Sequence, residues 1–119
     1  MPHILHLTLK KKWFDMIASG EKKEEYRALK KYWAKRLSDG VGTYLTSFCP
    51  GGIGYKVKWK EFDVIQFKNG YSKDAPLMIV EFKGLEIGHG KHKWGATSES
   101  FIIKLGKILS IKNYNNQND

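Results

Sequence analysis

The chain has a single cysteine, Cys49, in 119 residues. One thiol cannot close an internal disulfide or furnish a zinc finger, so both scaffolds are excluded, and a reducing, cytoplasmic setting is the expectation. Long hydrophobic runs are missing as well. None approaches the ~20 residues that cross a bilayer, and no membrane contact is expected. The opening Met1-Pro2-His3-Ile4-Leu5-His6 lacks the charged-then-apolar plan of a signal peptide. Acidic side chains are in short supply, 12 against 21 basic ones, which leaves a net charge of +9. Arginine is scarcer still: Arg27 and Arg36 stand against nineteen lysines.

What is there reads as an ordinary folded chain. Hydrophobic residues make up 41% and charged residues 28%, which excludes wholesale disorder. The length fits one domain, expected over residues 1–112, with a polar, frayed tail over 113–119. An excess of positive charge in a small domain commonly serves phosphate-rich partners. Lysine rather than arginine supplies it, however, and a solvated surface would need the same lysines.

Hydrophobic spacing yields the element order. Ile4-Leu5-His6-Leu7-Thr8-Leu9 predicts a strand over 4–10. Trp13, Phe14, Ile17 and Ala18 recur at helical spacing before Gly20, which suits a helix C-terminus. A charged strand is expected over 22–28. A second helix follows from about Lys30 to Ser38, with Leu29, Trp33 and Leu37 on one face. Residues 40–60 are broken by Gly42, Pro50, Gly51, Gly52 and Gly54, with a short strand hinted near Val57 and Trp59. Strand signals return at Phe62–Phe67, ending on the turn dipeptide Asn69-Gly70. They recur at Leu77–Phe82, extending toward Ile87, and at Phe101–Leu105, extending through Ile111. Helices early and strands late predict an α+β domain with a mostly antiparallel sheet. Closing that sheet into a small barrel would remove its exposed edges.

The segment Gly20-Glu21-Lys22-Lys23-Glu24-Glu25-Tyr26-Arg27 fits the pattern Gly-x-Lys-x-x-Glu-x-Arg. In that pattern, and in the strand–helix–strand context around it, the chain resembles the ASCH family (activating signal cointegrator homology domains). The resemblance covers nearly all of the chain apart from residues 40–60 and the tail. It implies a PUA-like fold, a small β-barrel with flanking helices, whose cleft is lined by the motif. It further implies a role with RNA or modified nucleosides. Members of that family are assigned RNA binding, coactivator roles, ribonuclease activity and hydrolysis of an acylated cytidine.

The residues themselves make sense as a polar cleft. Gly20 permits the sharp turn from helix to strand. Glu25 and Arg27, two apart on a strand, share a face, and the guanidinium fork suits a phosphate or a base edge. Lys22 has the opposite parity and joins them only if the chain is still turning there. A structural Glu25–Arg27 ion pair is the competing account, contributing about 0–1 kcal/mol if exposed. Were the site catalytic, Lys22 and Glu25 would serve as acid and base. The amide hydrolases that the motif resembles carry a threonine where Glu25 stands, so a hydroxyl nucleophile is missing from that position. Glu81 is the other carboxylate considered; if buried it requires a partner.

Lysine interleaved with aromatic rings is the second functional signal. It occurs at Lys30-Lys31-Tyr32-Trp33, at Tyr55-Lys56-Val57-Lys58-Trp59-Lys60 and at Lys91-His92-Lys93-Trp94. Phosphate attraction combined with base stacking holds single strands in this way. Trp33 fits the helix's core stripe, Trp59 and Trp94 fit stacking platforms, and Tyr71 is placed to overhang a cleft. His89 and His92 lack the further ligands a metal site requires, Cys49 lacks a neighbouring base, and the glycines at 51, 52 and 54 do not make a P-loop. The sequence thus predicts an RNA- or nucleotide-binding module at Lys22, Glu25, Arg27, Trp59, Tyr71 and Trp94, with no metal and no cofactor. A small hydrolase using Lys22 and Glu25 and a non-catalytic protein-interaction module are the alternatives.

Overall fold

The chain alternates inward and outward residues from its first strand. In β1 (Ile4–Leu9) Leu5, Leu7 and Leu9 are buried while Ile4, His6 and Thr8 face outward. That period-2 pattern is what makes the segment a strand with one wet face. The structure, a computed structural model, describes residues 3–38 and 58–114. Within them lie α1 (Lys11–Ala18), β2 (Glu24–Ala28), α2 (Lys31–Leu37), β3 (Val64–Asn69), β4 (Leu77–His89), a single 3-10 turn (His92–Trp94) and β5 (Glu99–Lys112). The expectations for Cys49 and the surrounding glycines, for Tyr55 to Val57 and for the end of the tail fall outside the described residues.

The protein is α+β, with a five-stranded sheet in the order β1-β3-β4-β5-β2. It holds both parallel and antiparallel pairs. β1 runs parallel to β3, Leu5 opposite Ile65 and Leu7 opposite Phe67, whereas β3 and β4 are antiparallel. The parallel register is pinned at its start by a reciprocal pair: the His3 N–H donates to Asp63 Oδ2 at 2.7 Å and the Asp63 N–H donates to the His3 carbonyl at 2.8 Å. No described helix is long and apolar enough to cross a membrane.

The residues pack as two units. The first comprises Met1–Glu25, Phe62–Gly84 and Ile103–Asp119; the second comprises Tyr26–Glu61 and Leu85–Ile102. β2, β4 and β5 therefore each contribute residues to both. In the first unit, α1 lays Phe14 and Ile17 against β3, and Leu5, Ile65, Phe67, Met78, Val80 and Ile103 complete the core. Burying each of these side chains contributes about 1.5–3 kcal/mol. α1 has no side-chain cap at its N-terminus, so this packing stabilises its two turns. In the second unit Ala34, Leu37, Trp94, Ala96, Phe101 and Ile102 are buried. There the Ser38 N–H and hydroxyl both donate to the Ala34 carbonyl, and Ser38 bridges antiparallel to Trp59.

Candidate functional site

The motif Gly20 to Arg27 begins as a helix stop. Gly20 takes a φ of +87°, its N–H donates to the Ile17 carbonyl at 3.0 Å, and the Lys22 N–H reaches back to the Met16 carbonyl at 3.0 Å. These bonds satisfy carbonyls left over at the helix end. They also keep the chain turning through Lys22, since β2 starts only at Glu24. Strand parity consequently does not govern Lys22. Its Nζ lies 3.0 Å from Glu25 Oε1, with the two side chains only 1% and 6% exposed. The same Nζ donates to the Glu24 carbonyl at 2.7 Å and stands 5.2 Å from the centre of the Trp13 ring. Such a pair has lost its hydration, and each member depends on the other to offset that cost. An acid and a base are in proton-transfer range here, but both are sealed from solvent.

Arg27 belongs to the second unit, and a small pocket of about 150 Å3 lies beside it. Tyr26, Arg27 and Ala28 form one wall; Gly95, Ala96, Thr97, Ser98 and Ser100 form the other. The second wall follows the 3-10 turn, where Gly95 adopts a φ of +103° to reverse the chain. Tyr26 fixes the first wall: its hydroxyl accepts the Lys91 N–H at 2.9 Å, and its ring lies over Gly90, where a Cβ would overlap Cε1 and Cζ. Only glycine permits that approach. Arg27 Nη1 donates to the Tyr26 carbonyl at 2.8 Å, and its Cζ stands 5.0 Å from the centre of Trp33. Ser100 is buried, and its Oγ has no hydrogen-bond partner.

The remaining expected residues are dispersed. Trp94, expected as a stacking platform, is 6% exposed and belongs to the core, with the Lys91 and Lys93 ammonium groups 4.6 and 5.5 Å from its ring. Trp33, expected in the core, is half-buried with two guanidinium groups against it. The reason for the exchange is that α2 buries its Ala34/Leu37 side, and the 3-10 turn swings Trp94 inward. Trp59 is half-buried and packs edge-on against Phe101. Tyr71, in the first unit, is 88% exposed on the β3–β4 loop. Glu81 is part-exposed rather than buried; its Oε1 accepts the Lys107 N–H at 2.9 Å, with Lys83 Nζ at 3.8 Å. Among the described residues no three His, Cys, Asp or Glu side chains gather as a metal site would demand.

Sequence reasoning missed Thr97, Ser98 and Ser100. Small hydroxyl residues in a loop and at a strand start carry no periodic signal, and only the fold brings them opposite Arg27. The chain matches no family model, no curated protein and no solved structure with which it was compared.

Proposed function

We propose that the protein is an RNA- or nucleotide-binding module of the ASCH type, with a PUA-like fold, and that the ligand is recognised at the Arg27 pocket. The observation that supports this most directly is that the Arg27 guanidinium, held by the Tyr26 carbonyl and over the Trp33 ring, belongs to a residue lining one small pocket with Thr97 and Ser98. Its size suits one phosphate or one six-membered ring; a cavity of about 150 Å3 is known to take a single benzene. Arg27, Thr97 and Ser98 offer donors of the kind that phosphate oxygens and base carbonyls accept. The +9 charge supplies long-range attraction.

The hydrolase reading draws on the Lys22–Glu25 contact at 3.0 Å, but that pair is closed to solvent, so turnover would require the turn at 21–23 to open. Binding is therefore the better-supported reading.

Titration of a labelled single-stranded RNA at two ionic strengths tests it. Affinity should fall steeply as salt rises, because each neutralised phosphate releases condensed counterions. Arg27→Lys keeps the charge but loses the planar fork, and should weaken binding by about tenfold. No binding at low salt, or equal affinity in the variant, would remove this reading.

A further inference from the structure

The two arginines of the chain come together on one ring. Arg27 Cζ is 5.0 Å and Arg36 Cζ 5.1 Å from the centre of Trp33. With nineteen lysines available elsewhere, the only two planar cations are both placed against a single indole. Tyr32 extends the group outward. It stands edge-on to Trp33, with centroids 4.9 Å apart at 87°, and the Arg36 Cζ lies 5.8 Å from its ring. Tyr32 is nevertheless 61% exposed, and Lys30, Lys31 and Lys35 around it are exposed too. No acidic residue lies on α2. All these residues belong to the second unit.

We propose that α2 continues the Arg27 pocket as a stacking surface, so that the ligand is a single-stranded nucleic acid of two or three nucleotides rather than a mononucleotide. One nucleotide occupies the pocket, and the base of a neighbour lies on the open face of Tyr32. This rests on the binding reading above and deepens it. Arg27 is the shared element, since it lines the pocket and also stands over Trp33. From its Cζ to the Tyr32 ring there are two steps, 5.0 and 4.9 Å between centres. A strand advancing about 3.4 Å per stacked nucleotide covers that span in two or three nucleotides. The chemistry favours a single strand over other polyanions. An acidic peptide would use the cations but not an exposed ring, and a duplex hides the base faces that the ring would stack on.

The test compares uridine monophosphate, a three-nucleotide oligo(U) and its deoxy counterpart, and an oligoglutamate of equal charge, by competition against a labelled RNA. The variants are Tyr32→Ala, Tyr32→Trp and Arg27→Lys; Tyr32 is exposed enough for its variants to fold. Expected results are an oligonucleotide at least tenfold tighter than the monophosphate, loss of that gain in Tyr32→Ala, and its return in Tyr32→Trp. Monophosphate affinity should be unchanged by Tyr32→Ala. A gain shared by the deoxy strand identifies plain single-strand stacking, and a gain for RNA alone identifies contacts to the 2′-hydroxyl. Tyr32→Ala without effect on the oligonucleotide, while Arg27→Lys weakens every ligand, overturns the extension and leaves the pocket standing. Arg27→Lys without effect overturns the pocket, and with it the path through Arg27. Oligoglutamate binding as tightly, with the same sensitivity to Tyr32, overturns the choice of a nucleic acid.

Discussion

Lys22 and Arg27 are cations five residues apart, and they meet opposite fates. Lys22 is enclosed with Glu25 in the first unit, 1% exposed along its side chain. Arg27 lines a pocket in the second, its guanidinium standing over an indole. The difference is energetic before it is functional. A sealed ion pair contributes little net stability but is costly to break, because the surviving charge stays buried without its counter-ion. A guanidinium over a ring gains about 0.5–1 kcal/mol where exposed. A motif read as one site thus contains a sealed half and a half that lines a pocket.

Lys22→Met should produce the largest effect. It leaves Glu25 buried without its ammonium, at a cost of about 3–5 kcal/mol in urea unfolding. The double variant Lys22→Met with Glu25→Leu removes both charges and should regain most of that loss. If the single variant cost under ~1 kcal/mol, as exposed pairs do, the contrast with Arg27 would collapse.

Next in size is Gly90→Ala. The added methyl would overlap the Tyr26 ring, which forces the ring or the loop aside. Overpacking of this kind costs about 1–3 kcal/mol. Gly88→Ala is the internal control, since its Cβ would meet only Ile102 Cδ1 at an ordinary 3.5 Å. Because Tyr26 is one wall of the pocket, Gly90→Ala should also weaken ligand binding, whereas Gly88→Ala should not. Equal melting temperatures for the two would contradict the packing of Tyr26 described above.

Much of this was legible in the sequence, though unevenly. The Leu5/Leu7/Leu9 alternation and the Phe14/Ile17 spacing announce β1 and α1 because local burial alone sets them. β4 and β5 continue through Lys83-Gly84 and past Gly106, as the expected extensions toward Ile87 and Ile111 have it, because paired strands continue where side chains stop burying. At Gly106 there is a specific reason: a Cβ would meet Lys83 Cε at 2.6 Å and Glu81 Oε1 at 2.9 Å, so glycine leaves room for Glu81 to reach the Lys107 amide. The parallel pairing of β1 with β3 joins segments some sixty residues apart and has no local signature. Lys22 illustrates the boundary well. Its parity left two outcomes open, and the Lys22-to-Met16 backbone bond decides between them. Trp33 and Trp94 exchange roles because adjacent lysines are equally compatible with a buried and an exposed indole; the long lysine stem lets the ammonium reach water from either.

The smallest expected effect comes from an exposed ion pair in the same unit as the sealed one. Lys11 Nζ lies 2.7 Å from Asp15 Oδ2, and the Tyr114 hydroxyl donates to Asp15 Oδ1 at 2.9 Å. Asp15 is consequently held below its ordinary value of 3.8, first by the Lys11 hydrogen bond, with partial burial opposing and Tyr114 assisting. A carboxyl whose folded pKa is depressed contributes stability that is fully present above its unfolded pKa and is lost as pH falls through the folded one. The affected window therefore lies below about pH 4, and pH 7 stability includes the whole contribution. Its size is limited, since the Lys11 and Asp15 side chains are 60% and 30% exposed and solvent screens them; about 1 kcal/mol or less is expected. Asp15→Asn removes the titration, so the stability gap between wild type and variant should be small at pH 7 and shrink at pH 2.5. Added salt should shrink the Lys11 share in the same direction. A gap that widened on acidification would reverse the sign assigned to Asp15. A gap at pH 7 as large as that of Lys22→Met would mean that burial does not separate these two ion pairs.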